Sequence, residues 1–212
     1  MSTVTYQVQT ILKDFGQNDF YELLKKAYTQ FCDLTGKCDS DSPEYEARMN
    51  SFNDWYVFHF ENNDEKKIFV RYFDEHGVDS ELAKAFYNVN YSVFKVQKVV
   101  KGKIYLTDIL HDQRLKVLEE DSSVGLVPED IFVGRTVFFD KRHYLLKGVC
   151  TIPRESFSEV EKYSKKIRSN YLYNNEENFL LNLEKLKVKS MHYKHLPSSK
   201  IFSLTSLAAG ME

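Results

Sequence analysis

Apolar residues in the first 89 positions recur every three or four residues, which is the period of helices with one buried face. The first pattern runs from Val4 to Phe15 and stops before Gly16. The second begins after Asn18 or Asp19, either of which can cap a helix, and stops at Gly36. Two amphipathic helices are therefore predicted at the start of the chain.

Three further helices are predicted between residues 42 and 89. The Ser-Pro-Glu sequence at 42–44 is a strong helix start, because Ser caps, Pro fits the first turn and an acid suits its positive end. The next pattern stops at Gly77, and Asp79 or Ser80 caps the last. Their apolar positions include Tyr45, Met49, Phe52, Tyr56, Ile68, Phe69, Tyr72, Phe73, Leu82, Phe86 and Val89.

From Tyr91 the helical period gives way to β-branched residues and alternating polar and apolar positions. Turn signals at 101–103 and 140–141, and an acidic loop at 119–121, divide this stretch into about five short strands. Strands of this number and spacing predict a small antiparallel barrel or a strongly coiled sheet. Closing the sheet would also remove exposed edge strands.

Helical patterns return after Pro153. Ser156 and Glu159 match a capping box, in which each side chain binds the other residue's free amide. Asn174 or Asn175 begins the next helix, and from His192 onward no clear period is present. The predicted fold class is α+β, with an N-terminal helical region at 1–89, a small β-barrel or coiled sheet at 90–153, and C-terminal helices with a tail at 154–212.

The composition favours a folded cytoplasmic protein. Apolar residues make up 42% of the 212 positions and aromatic residues 15%, which is enough for a core. Cys32, Cys38 and Cys150 match neither a disulfide framework nor a metal motif. The first five residues lack the basic and apolar regions of a signal peptide, and no apolar run approaches the roughly 18 residues of a membrane span. We expect no membrane segment, metal or cofactor.

Charge is divided unevenly along the chain. Residues 1–90 carry 9 basic and 16 acidic side chains, whereas residues 91–150 carry 10 basic and 8 acidic ones. A positive second half can bind an anionic partner, or it can attract the negative first half. The sequence pI of ≈ 6.3 is below that of a dedicated nucleic-acid binder.

The segment Phe-Asn-Asp-Trp-Tyr-Val-Phe at 52–58 resembles an F-x-D-W-[FY]-x-F motif of uncharacterised bacterial proteins. In those proteins a helical region with this motif precedes a small β-rich module, and some also carry a SEC-C zinc motif. The similarity covers residues 50–153, but this sequence has no closely spaced Cys and His set that matches the zinc motif. The resemblance implies an architecture and a motif formed by Phe52, Asp54, Trp55, Tyr56 and Phe58.

Two carboxylates are candidates for chemistry or for structure. Asp54 lies among aromatic residues, where burial would raise its pKa and suit acid–base work. The alternative, which we favour, is that Asp54 accepts hydrogen bonds from backbone or Arg groups and holds its helix to the β-module. Asp108 fits the end of a strand or a turn cap. Neither acid has a visible catalytic partner, so no catalytic residue is assigned.

Basic residues on and between the predicted strands form a candidate surface for single-stranded nucleic acid. Small OB-like barrels often present basic and aromatic side chains to single strands. Interleaved acids, including Asp112 and residues 119–121, are also typical of an ordinary solvated face. The candidates are Tyr91 and Phe94 for stacking, with Lys95, Lys98, Lys101, Lys103, Arg114, Lys116 and Arg135 as cations.

The sequence is compatible with three functions. The favoured one is a non-enzymatic adaptor that binds a protein partner, because the aromatic-rich helices and the C-terminal tail supply contact surfaces. The alternative is single-stranded RNA or DNA binding through the central β-module. The third is an unrecognised enzyme that uses Asp54.

Overall fold

The computed structural model describes residues 3–17, 20–37, 39–61, 64–118, 125–169 and 176–208. Helices lie at both ends and strands at the centre, so the predicted α+β class is confirmed. The N-terminal helices are α1 (Thr3–Phe15), α2 (Tyr21–Thr35), α3 (Tyr45–Phe58), α4 (Ile68–His76) and α5 (Ser80–Tyr87). The strands are β1 (Asn90–Val100), β2 (Lys103–Asp108), β3 (Gln113–Leu118), β4 (Ile131–Phe139), β5 (Arg142–Leu145) and β6 (Cys150–Ile152). The C-terminal helices are α6 (Phe157–Ser169), α7 (Glu176–His192), α8 (Ser198–Ile201) and α9 (Leu204–Ala208).

Local signals set several helix ends as predicted. Gly36 ends α2 with φ 82° and donates its amide to Cys32, and the Asp79 carboxylate accepts two amides at the start of α5. The predicted capping box is wrong, because the chain enters α6 through a 3-10 turn that contains Ser156. The Ser156 hydroxyl is buried and has no hydrogen-bond partner in the described ranges. The caps predicted at 18–19 and 174–175, the loop at 119–121 and Cys38 lie outside the described residues.

Five strands close into a barrel in the order β1-β2-β3-β5-β4-β1, and β6 pairs with the first half of β4. The sheet is mixed rather than antiparallel as predicted. β5 runs antiparallel to β4 and therefore in the same direction as β3, so the pair β3–β5 that closes the barrel is parallel. This closure order is that of the OB-fold, a five-stranded Greek-key barrel.

Helices cover only part of the barrel. The N-terminal helices pack on Val137, Tyr144 and Leu146, and the C-terminal helices pack on outward-facing residues of β1, β4 and β6. The predicted tail contains α8 and α9, in which Ile201 and Leu207 are buried in the same apolar cluster as residues of α6 and α7. Helices of four and five residues are too short to show a period. The outer surface of β2, β3 and the second half of β1 carries mostly exposed or half-buried residues.

A buried ion pair joins the helices to the barrel. Arg48 of α3 donates to the Glu184 carboxylate of α7 at 2.6 Å and to the Thr35 hydroxyl of α2 at 2.6 Å. The Tyr91 hydroxyl of β1 donates to the other Glu184 oxygen at 3.0 Å. Arg48 is 6% exposed and Glu184 1%, so water cannot replace these partners. Four elements therefore meet at one pair of charges.

We predict that Arg48→Met lowers the free energy of unfolding by about 3–5 kcal/mol, because it leaves the Glu184 charge buried without its cation. The double variant Arg48→Met/Glu184→Leu should recover most of this loss, since no buried charge remains. Urea denaturation of the single and double variants measures both effects. Lys84→Met, which breaks an exposed pair with Glu81, is the control and should unfold like the parent. Equal losses in Arg48→Met and Lys84→Met would contradict the prediction.

Candidate functional site

The uncovered part of the barrel presents a basic surface that contains one aromatic ring. A β-bulge between Val96 and Lys98 adds one residue to β1 opposite β2. Strict alternation from the buried Val96 would point Lys98 into the barrel, but the bulge exposes Lys98 and turns Val99 toward the interior. The side chain of Lys98 therefore joins the outward-facing residues of β2 and β3.

The register places Lys98, Tyr105 and Lys116 side by side across three strands. Neighbouring strands lie about 4.8 Å apart, so the row spans about 10 Å. The Lys98 ammonium lies 4.5 Å from the centroid of the half-buried Tyr105 ring. Lys103 and Arg114 extend the same surface along β2 and β3. We call these residues, Lys98, Lys103, Tyr105, Arg114 and Lys116, the outer strand face.

The cations of the outer strand face are not neutralised within the described part of the chain. None of its four Lys and Arg side chains forms an ion pair with a residue in that part. Lys95 differs, because its ammonium pairs with Glu129 at 2.7 Å and lies over the Phe157 ring. Lys101, in the β1–β2 turn, is exposed. A concentration of positive charge of this kind attracts anions such as phosphate.

Three of the predicted nucleic-acid residues do not lie on a surface. Phe94 is 0% exposed inside the barrel, and Tyr91 and Arg135 are buried under the C-terminal helices, so the predicted stacking and phosphate roles of these three are wrong. The Arg135 guanidinium carbon lies 3.8 Å from the Tyr91 ring centroid. The sequence alone does not show which outward residues the helices cover.

The aromatic residues of the 52–58 motif form the core of the helical region. Phe52, Trp55, Tyr56 and Phe58 are each at most 2% exposed. Trp55 and Phe52 pack on Phe31 of α2, and Phe58 packs on α4 and α5. The motif therefore organises the N-terminal helices.

Asp54 has the structural role that we favoured. It is 3% exposed and accepts the Gly148 amide at 2.7 Å, which holds α3 to the segment between β5 and β6. A Cβ on Gly148 would lie 2.5 Å from the Asp54 carboxylate and 2.8 Å from the Asn50 carbonyl, so only glycine allows this approach. Burial raises the pKa of Asp54 to about 6, although Arg135 opposes the shift.

Asp108 ends β2 and caps the β2–β3 turn, as its structural interpretation predicted. Its carboxylate accepts hydrogen bonds from Asn90, Ser92 and the His111 amide, and its Oδ2 lies 3.0 Å from His111 Nδ1. Burial opposes ionisation, but these hydrogen bonds lower the pKa of Asp108 below its usual value. The hydrogen bond to Asp108 in turn raises the pKa of His111.

Sequence reasoning missed two sets of residues. Tyr105 could have been found, because alternation with the apolar Ile104 and Leu106 points it outward. The second set lines a cavity at one end of the barrel and includes His59, His111, Glu176 and Glu177. These four residues come from three separate parts of the chain, so no local pattern joins them.

Comparison with known proteins gives a family but no activity. A model described as "Family of unknown function (DUF7986)" matches residues 7–184, so the chain belongs to this family. No curated protein and no solved structure matches significantly. The resemblance of residues 52–58 to proteins linked to SEC-C motifs stays a prediction.

Neither a membrane-spanning helix nor a metal cluster is present in the described residues. No helix there is long and apolar enough to cross a membrane. No group of three or more His, Cys, Asp or Glu side chains among those residues is arranged to hold a metal ion.

We predict that Asp54→Asn becomes more stable relative to the parent as the pH rises from 4 to 8. The folded-state pKa of Asp54 is raised to about 6, so the protonated carboxyl stabilises the fold below its ordinary pKa of 3.8 and this contribution is lost as the pH rises through 6. The relative change is on the order of 3 kcal/mol at most, from 1.36 kcal/mol per pKa unit.

The measurement is urea denaturation of both proteins at several pH values. Asn keeps an oxygen that can accept the Gly148 amide, so the comparison isolates the charge. Asp33→Asn, at an exposed position of α2, is the control and should show no such trend. A stability difference that does not change with pH would rule out a raised Asp54 pKa.

Proposed function

We propose that this member of the DUF7986 family binds single-stranded nucleic acid through the outer strand face. The observation that carries the proposal is the row in which Tyr105 lies between Lys98 and Lys116 on an uncovered barrel surface. In OB-fold barrels the face of strands 2 and 3 and the loops 1–2 and 4–5 bind oligonucleotides. The likeness of strand order supports the place of binding by analogy.

The chemistry of the row suits a single strand. An unpaired base can stack on the Tyr105 ring, and such stacking tolerates any base because every base has a flat face. Ammonium groups at both sides of the ring can contact the phosphates on either side of the stacked base. A base within a duplex is already stacked between its neighbours, so the ring favours single strands.

The β1–β2 and β4–β5 turns, which correspond to loops 1–2 and 4–5 of the OB-fold, add positive charge. The β1–β2 turn carries Lys101, and Lys141 and Arg142 lie at the β4–β5 turn. All three side chains are exposed. A strand that crosses the outer strand face can therefore meet further cations at the turns.

The adaptor function predicted first stays a proposal with less support. Exposed aromatic residues that could bind a protein are scattered over several elements, including Tyr6 on α1, Tyr21 on α2 and Tyr193 after α7. Recovery of one protein partner from a lysate, unaffected by nuclease, would favour it.

An enzyme that uses Asp54 has little support, because that carboxylate is buried and bound to the backbone. The expected cytoplasmic location also stays a prediction.

We predict that Tyr105→Ala weakens binding of a short single-stranded oligonucleotide roughly 5- to 150-fold, from about 1–3 kcal/mol per stacked base. Fluorescence anisotropy with labelled RNA and DNA of mixed sequence measures the change. Tyr105→Phe keeps the ring and should bind like the parent. Equal weakening in both variants would show that stacking on this ring does not contribute.

We also predict that Lys98→Ala/Lys116→Ala lowers the salt dependence of binding. Each lost phosphate contact should reduce the slope of log K against log salt by about 0.7 for a single strand. The control Lys162→Ala/Lys166→Ala removes the same charge from exposed positions of α6 and should keep the parent slope. Binding that is independent of salt in the parent protein would overturn the proposed function.

A further inference from the structure

The end of the barrel opposite the β1–β2 turn is open. β3 and β5 pair only through Val117 and Leu118 with His143 and Tyr144, so the first half of β3 pairs with β2 alone. Beside this half lies an open cavity of about 590 Å³, which is also lined by residues of β4, the start of β1, the end of α5 and the start of α7. We call this cavity the barrel mouth. Its volume is in the range of small-molecule sites, which often occur in the mouths of β-barrels.

The wall of the barrel mouth contains two carboxylates and an unpartnered hydrogen-bond acceptor. Glu176 and Glu177 of α7 line it, and the Glu177 carboxylate lies 3.2 Å from His59 Nδ1. Burial lowers the pKa of His59 to about 4, so its ring is neutral at pH 7. With the Nδ1 proton shared with Glu177, His59 Nε2 is an acceptor, and this buried atom has no partner among the described residues.

Thr136 is a second unpartnered polar group at the barrel mouth. Its residue is 1% exposed and lines the cavity, and its hydroxyl has no hydrogen-bond partner in the part of the chain described here. A buried polar group without a partner costs free energy, so these two groups favour a polar ligand. The His59 ring nitrogen accepts a hydrogen bond and the Thr136 hydroxyl can accept one, so both fit a ligand with N–H donors.

Aromatic side chains also line the barrel mouth. Phe138 is 54% exposed and Tyr87 is 62% exposed, although both are large apolar residues. The His143 ring centroid lies 4.7 Å from that of Phe138. Aromatic faces attract cations, most strongly where the cation is partly removed from water.

The charged side chains at the wall of the barrel mouth are acidic. Glu176 and Glu177 line it, and no Lys or Arg is among the described residues that do. The nearby cations are His111, held between Asp108 and Glu176, and Arg135 and Lys67, which both lower the pKa of His59 and Glu177. With Asp108, three carboxylates balance these three cations when His111 is protonated and exceed them by one when it is neutral. Arg135 and Lys67 do not line the cavity, whereas Glu176 and Glu177 can contact a ligand directly.

We propose that the barrel mouth binds an organic cation, an alkylguanidinium or alkylammonium group, between the aromatic rim and the carboxylates of α7. The cation's N–H groups donate to Glu176 and Glu177, and its alkyl part lies against Phe138. This site is independent of nucleic-acid binding at the outer strand face. It requires residues of the helical regions and of the barrel together.

The test is isothermal titration of the full chain with agmatine and with spermidine. We expect saturable binding of at least one of the two cations. Glu176→Gln/Glu177→Gln should weaken cation binding at least tenfold, because it removes both carboxylates. The control Glu46→Gln/Glu155→Gln removes the same charge from exposed positions and should leave binding unchanged.

A second variant keeps the proposal falsifiable if the double Gln variant does not fold. Phe138 is exposed, so Phe138→Ala should fold normally and should weaken cation binding several-fold. Absence of binding of both cations at millimolar concentration would overturn the proposal, as would equal affinity in Glu176→Gln/Glu177→Gln and the parent. Lys98→Ala/Lys116→Ala should bind the cation normally, so failure here is separate from failure of the proposed function.

Discussion

The buried ion pair between Arg48 and Glu184 is the interaction on which the arrangement of helices around the barrel depends. Removing two charges from water costs several kcal/mol for each ion, and only good geometry with further hydrogen bonds offsets that cost. Those bonds come from Thr35 on α2 and Tyr91 on β1, so the pair is stable only when α2, α3, α7 and β1 are all in place. The N-terminal helices, the barrel and the C-terminal helices therefore constrain one another.

That constraint decides which barrel surface faces water. Because α7 must reach both Arg48 and Tyr91, the helices gather over β4, β6 and the first half of β1. Residues of the second half of β1, with β2 and β3, then stay outside the helical layer. Asp54 reinforces the arrangement through its hydrogen bond with the Gly148 amide, a contact that a side chain at position 148 would block.

Local features of the fold could be predicted from the sequence, whereas long-range burial could not. Gly36 and Asp79 act on their own neighbours, so their roles at helix ends follow from residue type alone. Arg135 alternates correctly along β4, but its outward direction leads under a helix that belongs to a distant part of the chain. Lys98 faces outward only because of the bulge between Val96 and Lys98, and residue types alone do not predict such an extra residue in a strand. The parallel closing pair also follows from tertiary geometry.

The same limit explains why the two candidate sites differ in how far they could be predicted. The four cations of the outer strand face, Lys98, Lys103, Arg114 and Lys116, lie on two consecutive hairpins, so their closeness along the chain suggests the group, although the bulge that turns Lys98 outward is seen only in the structure. The barrel mouth joins His59, β3, β4 and α7, and no spacing rule connects them.

Yet β3 belongs to both candidate sites. Gln113 and Leu115 face the barrel mouth, while Arg114 and Lys116 face outward. The period of two along this strand thus places the basic outer strand face and the proposed cation site on opposite sides of β3. The two proposed ligands, a nucleic-acid strand and an organic cation, carry opposite charges, so titration with each of them can test the two sites separately.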